Sequence, residues 1–306
     1  MYKRILVPLD GSNAGEIVLP YAAEIAAKIG IELILVSVSE PTADTRDNLY
    51  RFYLERIAEQ VEQQLEDWGA KREAKVRIEV LVGSPASEIL RYADERNVNL
   101  IAMASRGRTG QGPWLLGNIA SKVLRATGKP VLLIRTPVDA TTLKQRSLVK
   151  RILVPLDGSE VGEAALPYAV GLAKELGAEL VLYQVLKHIV LVAAEGATMS
   201  SAMYEEEEKH RRASAMAYLE GVGKGVREKG LSTSSALGSG APADQIIDYA
   251  EANAIDLIAM STHGRSGITR WVFGSVTDKV LHAGNTAVLT VRASKDAAGK
   301  VNFPLK

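Results

Sequence analysis

Lys3–Ser12 reads Lys-Arg-Ile-Leu-Val-Pro-Leu-Asp-Gly-Ser, and Lys150–Ser159 repeats every residue of it at an offset of 147. Solenoid repeats are only about 20–50 residues long, so a period of this size means a duplicated domain. The 306 residues accordingly divide into domains 1–146 and 147–306, with Thr136–Val149, rich in Pro, Thr and Lys, as the linker. The chain must therefore solve one folding problem twice.

Each copy opens with an aliphatic strand, then Asp-Gly-Ser, then a helix. Asn13 and Glu16 have capping-box spacing, although Ser12 is an equally good cap. Pro20 and Pro167 fall inside the first helices and predict a kink or a late helix start, because proline cannot donate the helical hydrogen bond. Gly30 and Gly177 then close those helices as C-caps. Further strands are expected at Glu32–Val38, Val76–Leu81, Leu100–Met103 and Val131–Arg135, with counterparts at Glu179–Leu186, Ser232–Leu237, Leu257–Met260 and Val288–Arg292. Helices fall between them, so right-handed crossovers build a parallel sheet covered on both faces. The copies diverge after the second strand, and the offset grows to 157 by the point where Gly83 matches Gly240. The last strands, as sheet edges, are expected to pair antiparallel with each other about an internal pseudo-twofold axis.

Composition narrows the function classes. Thirty-seven basic and 36 acidic side chains leave a net charge of +1, which favours neither nucleic acid nor an anionic membrane. Cysteine is absent, so disulfides and thiolate metal sites are excluded, and the chain suits the cytoplasm. Ile5-Leu6-Val7 is too short for a signal-peptide core, and no apolar run approaches a membrane span. The tail after Arg292 has the composition of a mobile segment. Glu205–Lys209, Glu207–Arg211 and Glu208–Arg212 read as i,i+4 pairs on a solvated helix face.

The chemistry concentrates where the fourth strand ends. Leu257–Val276 runs from an apolar strand through Ser261, Thr262, His263 and Gly264 into a helix after Gly274, and Leu100–Ile119 does the same. Glycines let backbone N–H groups approach an anion, and a helix start adds partial positive charge. Asp10 and Asp157 follow the first strand and reach the same sheet edge, where open α/β sheets hold ligands. There a carboxylate can accept from a ribose hydroxyl, or it can serve the turn alone. Gly112–Gly117 has Walker spacing without the following Lys, and no Gly-x-Gly-x-x-Gly follows a first strand. His188, His210, His263 and His282 show no ligand spacing. Ser275 with Lys279 resembles a nucleophile and base, but nothing orients the lysine, so no catalytic residue is assigned. Trp114 and Trp271 share one repeat position and read as packing anchors.

The repeated opening, the Gly-x-Pro before the third helix and the late glycines resemble the universal stress protein family along essentially the whole chain. The motif in nucleotide-binding members is Gly, two residues, Gly, nine residues, then Gly-Ser or Gly-Thr. Gly264, Arg265–Phe273 and Gly274-Ser275 match it with Ser261 in place of the first Gly. Gly107, Arg108–Leu116 and Gly117 match it with Ala104 and Asn118 as departures. The resemblance implies two doubly wound parallel five-stranded sheets of order 3-2-1-4-5, helices on both faces, of the adenine-nucleotide alpha-hydrolase-like class. It implies ATP as ligand, with or without Mg, no other metal, and a pseudo-dimer within one chain that could dimerise further. The implied nucleotide contacts are Asp157, Val185, Met260, Ser261, Gly264, Arg265, Gly274, Ser275 and Val276 in the second half. In the first they are Asp10, Val38, Met103, Gly107, Gly117 and Asn118. On this reading the second half binds more tightly. Ser275 offers a hydroxyl where Asn118 stands, and Arg270 a donor where Pro113 has none, against the charge of Arg106 where the second half has His263.

Overall fold

The computed structural model describes residues 2–40, 46–71, 74–107, 116–135, 147–187, 201–263, 273–295 and 301–302. The elements in order are β1 Arg4–Pro8, α1 Asn13–Glu16, α2 Leu19–Ile29, β2 Glu32–Ser39, α3 Arg46–Asp67, β3 Val76–Val82, α4 Pro85–Glu95, β4 Leu100–Ala104, α5 Asn118–Ala126 and β5 Val131–Ile134. The second half follows as β6 Arg151–Pro155, a 3₁₀ turn Gly162–Ala165, α6 Leu166–Leu176, β7 Glu179–Leu186, α7 Ser201–Arg227, β8 Thr233–Ser239, α8 Pro242–Ala252, β9 Leu257–Ser261, α9 Ser275–Ala283 and β10 Ala287–Val291.

The prolines act as expected. The first helix breaks after Glu16, and α2 restarts at Leu19 with Pro20 in its first turn, where the missing N–H costs nothing. Pro167 does the same for α6. Gly30 and Gly177 end these helices with φ of 80° and 70°, backbone that glycine adopts without strain. Ser12, not Asn13, is the cap: its side chain accepts from the Gly15 N–H. Arg211 pairs with Glu208 at 3.3 Å and not with Glu207, while Arg212 reaches the same Glu208 at 3.2 Å, so one carboxylate serves two arginines.

Both halves form parallel sheets of order 3-2-1-4-5, joined into one ten-stranded sheet, β3-β2-β1-β4-β5-β10-β9-β6-β7-β8. The junction is the antiparallel pair expected of the two last strands, with Leu133 opposite Val288 and Val131 opposite Thr290. All residues of β4, β5, β9 and β10 are buried, because helices cover both faces of the sheet centre. Within the tail whose composition is that of a mobile segment, Ser294–Lys295 and Val301–Asn302 form a short antiparallel pair.

A buried carboxylate also binds the halves together. Glu24, fully buried on α2, pairs with Lys28 at 2.9 Å and accepts the Leu148 N–H at 3.0 Å. Lys28 also donates to the Leu176 carbonyl at the end of α6. Tyr2 donates to the Tyr168 carbonyl, and their rings meet edge-on at 6.4 Å.

Candidate functional site

The crevice is built where β1 and β4 release the chain at the same sheet edge. Gly11 and Gly158 turn with φ of 77° and 78°, which only glycine takes cheaply, and so bring each serine back onto its aspartate. Asp10 Oδ1 accepts from the Ser12 N–H at 3.0 Å and from the Ser12 hydroxyl at 2.5 Å; the hydroxyl oxygen in turn accepts from the Gly15 N–H at 3.1 Å. Asp157, Ser159 and Gly162 repeat the arrangement at 3.0, 2.6 and 3.0 Å. The same oxygen of each carboxylate is thus spent on the turn. The other oxygen of Asp10 lies against the start of the glycine loop. A Cβ at Gly107 would collide with Asp10 Oδ2 and stand 3.2 Å from its Cγ. Sequence-distant residues expected to share a ligand are therefore in contact.

The loops close at their bases. Gly117 N–H donates to the Ser105 carbonyl at 2.7 Å, and Gly274 N–H to the Thr262 carbonyl at 2.8 Å. Helices α5 and α9 start immediately afterwards, and neither has a side-chain cap on its first N–H groups. Those donors, with exposed Asn118 and Ser275, stay available at the crevice. Neither Gly117 nor Gly274 has a positive φ, so backbone freedom explains neither glycine; closeness explains Gly117 only, since a Cβ at Gly274 would meet nothing closer than 3.4 Å. A Cβ at Gly117 would stand 3.1 Å from the Ser105 oxygen.

Among the described residues, Ser105 Oγ in the first half and His263 Nε2 in the second are buried at the loop bases without a hydrogen-bond partner. The opposite ring nitrogen, His263 Nδ1, lies 3.0 Å from the Thr262 hydroxyl, which fixes the imidazole in the loop base. Ser261 is buried; its carbonyl accepts from the Thr277 hydroxyl at 2.9 Å, tying α9 to the end of β9. Ala120 occupies that position in the first half.

The remaining expected contacts divide. Val38, Val185 and Val276 are half-buried at the core's rim. Met103 and Met260 are buried core residues, each 5% exposed, and their side chains are committed to packing. Gly264, Arg265, Trp114, Trp271, Pro113, Arg270 and His188 lie outside the described residues. Lys279 pairs with Asp244 at 2.6 Å, which engages it away from the role of base to Ser275.

Sequence reading missed three features. Tyr53 donates to Glu16 at 3.1 Å and Tyr218 to Glu163 at 2.7 Å, bracing the long helices against the Asp-Gly-Ser turns. Burial and the adjacent Glu16 carboxylate push the Tyr53 phenol far up. The glutamates share the first offset, but the tyrosines stand 165 apart, beyond the insertion, so repeat alignment could not pair them. The second feature is Tyr183, whose hydroxyl occupies the space a Cβ at Gly238 would need and whose ring stacks on Tyr249 at 4.4 Å. A glycine within a strand was the available signal. The third is buried Arg135, at the end of β5.

Among the described residues no three His, Asp or Glu side chains gather in a way that could hold a metal, and no helix is long and apolar enough to cross a membrane. The model of the universal stress protein family matches residues 1–135 and again 149–292. A universal stress protein of Synechocystis is 27% identical over 315 aligned positions, covering 95% of this chain and all of the relative. One from Mycobacterium tuberculosis is 27% identical over 238 residues, 78% of this chain and 76% of the relative. The crystal structure of a universal stress protein from Archaeoglobus fulgidus superposes over 94% of this chain and 96% of its own, with a TM-score of 0.65 and 23% identity.

Proposed function

The chain belongs to the universal stress protein family, matched once by each half, and from that premise we propose that it is an ATP-binding module of the stress response. Nucleotide occupancy would select its conformation or its partner. The observation that carries this reading is the contact between the Asp10 carboxylate and the backbone of Gly107, which joins a ribose acceptor to a phosphate loop.

The residues present fit an adenine nucleotide. Asp10 and Asp157 would hold the ribose, and Val38 and Val185 would flank the base. The N–H groups that open α5 and α9, with Ser275 and Asn118, would receive the phosphates. The buried, unpartnered His263 Nε2 and Ser105 Oγ at the loop bases are polar atoms that such a ligand would satisfy. A Mg ion accompanying ATP would ride on the phosphates, since Mg retains much of its water shell. We read the protein as a binder and not as an enzyme, and the second half as the tighter site. The paired last strands make its halves an internal counterpart of a dimer, which could pair again, and we place it in the cytoplasm.

The test is equilibrium binding of labelled ATP. Gly274→Val should abolish binding by the second half while the fold persists, because φ at Gly274 is −60° and its Cβ would meet nothing closer than 3.4 Å. Wild-type affinity at that site in the folded variant overturns the assignment. Phosphate release exceeding one turnover over hours would replace the binder with a slow ATPase.

A further inference from the structure

The first half carries a buried cation that the proposed nucleotide contacts leave unexplained. Arg135 follows β5 and is 7% exposed. Its Nη2 donates to the His282 carbonyl near the end of α9 at 3.0 Å, whereas its Nε and Nη1 have no hydrogen-bond partner among the described residues. An arginine buried this far normally meets a carboxylate or phosphate, since desolvating a guanidinium without one is costly. The charge that acts on it is that of another arginine, Arg106, and the cavity it borders is shared with Asp256, whose carboxylate accepts from the Lys150 and Arg151 N–H groups. Burial, with the Arg106 charge adding to it, holds the Arg135 guanidinium below its ordinary range.

The backbone locates this pair at the glycine loop. The Ile134 carbonyl accepts from the Ser105 N–H at 2.7 Å, and the Ser105 carbonyl accepts from Gly117. Arg135 is therefore one residue from the closure of the loop that holds Arg106, and Ser105, whose hydroxyl has no hydrogen-bond partner among the described residues, forms that closure. The second half is built differently. His263 replaces Arg106, Thr262 replaces Ser105 and spends its hydroxyl near the imidazole, and the counterpart of Arg135, Arg292, is half-buried.

We propose that Arg135, with Arg106 and the Ser105 hydroxyl, forms a phosphoryl subsite at the base of the first half's loop, so that this half selects ligands by terminal phosphate. The inference rests on the nucleotide reading for the identity of the ligand, but not for the chemistry of the subsite, which inorganic pyrophosphate shares. Its consequence is a difference in selectivity: the second half's advantage is widest for AMP and narrows towards ATP. Because His282 belongs to the second half, the arginine is held in place from across the junction.

The experiment uses the full chain in two forms, with Gly274→Val to silence the second site. In that background ATP should bind about tenfold or more tighter than ADP, the scale of one added charge-assisted contact. Arg135→Met should bring the ratio near one, Arg135→Lys should retain part of it, and Arg292→Met should leave it unchanged. An unchanged ratio in Arg135→Met overturns the subsite. Thermal unfolding of the otherwise wild-type chain separates this failure from failure of the nucleotide reading. Without added anion, Arg135→Met should raise the Tm by removing an uncompensated charge, and it should abolish the rise that pyrophosphate produces in wild type. If no nucleotide binds yet pyrophosphate still stabilises through Arg135, the subsite stands and the nucleotide reading falls. If pyrophosphate has no effect on wild type, or stabilises Arg135→Met equally, the subsite is wrong.

Discussion

The two halves share a sheet order and an Asp-Gly-Ser turn whose hydrogen bonds agree within 0.1 Å, yet they differ at particular places where one touches the other or a side chain fills space. Glu24 and Lys28 on α2 correspond to Gly171 and Glu175 on α6. One helix supplies the buried clasp and the other receives it. Val36 and Leu81 in the first half correspond to Tyr183 and Gly238 in the second, two solutions for one volume. Duplication copied the turn, whose backbone geometry admits few residues, while the packing drifted in compensating pairs.

The largest break in the comparison is expected at the clasp. Glu24→Ala would leave the Leu148 N–H without its side-chain acceptor and the Lys28 ammonium without its carboxylate, with only the Leu176 carbonyl and Ser147 hydroxyl remaining to it, and should destabilise the protein by about 3–5 kcal/mol, the cost of breaking a buried pair. Urea unfolding measures it, and a loss under about 1 kcal/mol would show the clasp to be solvated. Burial raises the Glu24 carboxyl above its ordinary value of 4.5, outweighing Lys28 and the backbone donors. A raised folded-state pKa favours folding below the unfolded value and loses that contribution as pH rises through the folded one. Stability should therefore decline above about pH 4.5, and Glu24→Gln should flatten the decline.

Next in size is the exchange of the packing pair. Tyr183→Val removes a buried ring and should cost about 2–4 kcal/mol. Gly238→Leu should cost a similar amount, because even its Cβ would stand 2.9 Å from Tyr183 Cζ. The double variant installs the first half's pair and should recover more than half of the summed loss in a double-mutant cycle. Additive losses would mean that the two positions do not share a volume. Gly238 lies opposite Val185 in the ladder, so the exchange also reshapes the proposed base wall.

How much of this was legible depended on whether backbone or side chain decides. The repeat, the proline restarts and the glycine C-caps are local rules, so sheet order and most boundaries followed from the residues and the resemblance they carry. The Asp10–Gly107 contact was legible in kind, because strand ends converge on one edge whatever their side chains. Glu24, Arg135 and the Tyr53–Glu16 pair were not. Each has a partner more than a helix away in sequence, Leu148 for Glu24, His282 for Arg135 and Glu16 for Tyr53, and an acid or base in a periodic stretch otherwise reads as solvated surface. Met103 and Met260 show the converse: their place at the end of the fourth strand was legible, but the burial of their side chains was not.

The smallest effect tests the loop base itself. The Thr277 hydroxyl, buried on α9, donates to the Ser261 carbonyl at 2.9 Å and fixes the helix start to the end of β9, whereas Ala120 leaves α5 without that tie. Thr277→Ala therefore gives the second half the first half's loop base. The lost hydrogen bond should cost about 1 kcal/mol of stability, because the Ser261 carbonyl is left in a buried place without this donor. The effect on ATP should be separate and modest. A helix start free to shift by a few tenths of an ångström presents its N–H groups less accurately, so binding by the second half should weaken a few-fold, about 1 kcal/mol or less. Stability measured by urea and affinity measured by calorimetry should thus fall together, narrowing the expected gap between the halves. If stability falls while affinity holds, the tie serves the fold alone, and the second half's advantage must lie in Ser275 and the loop ahead of it.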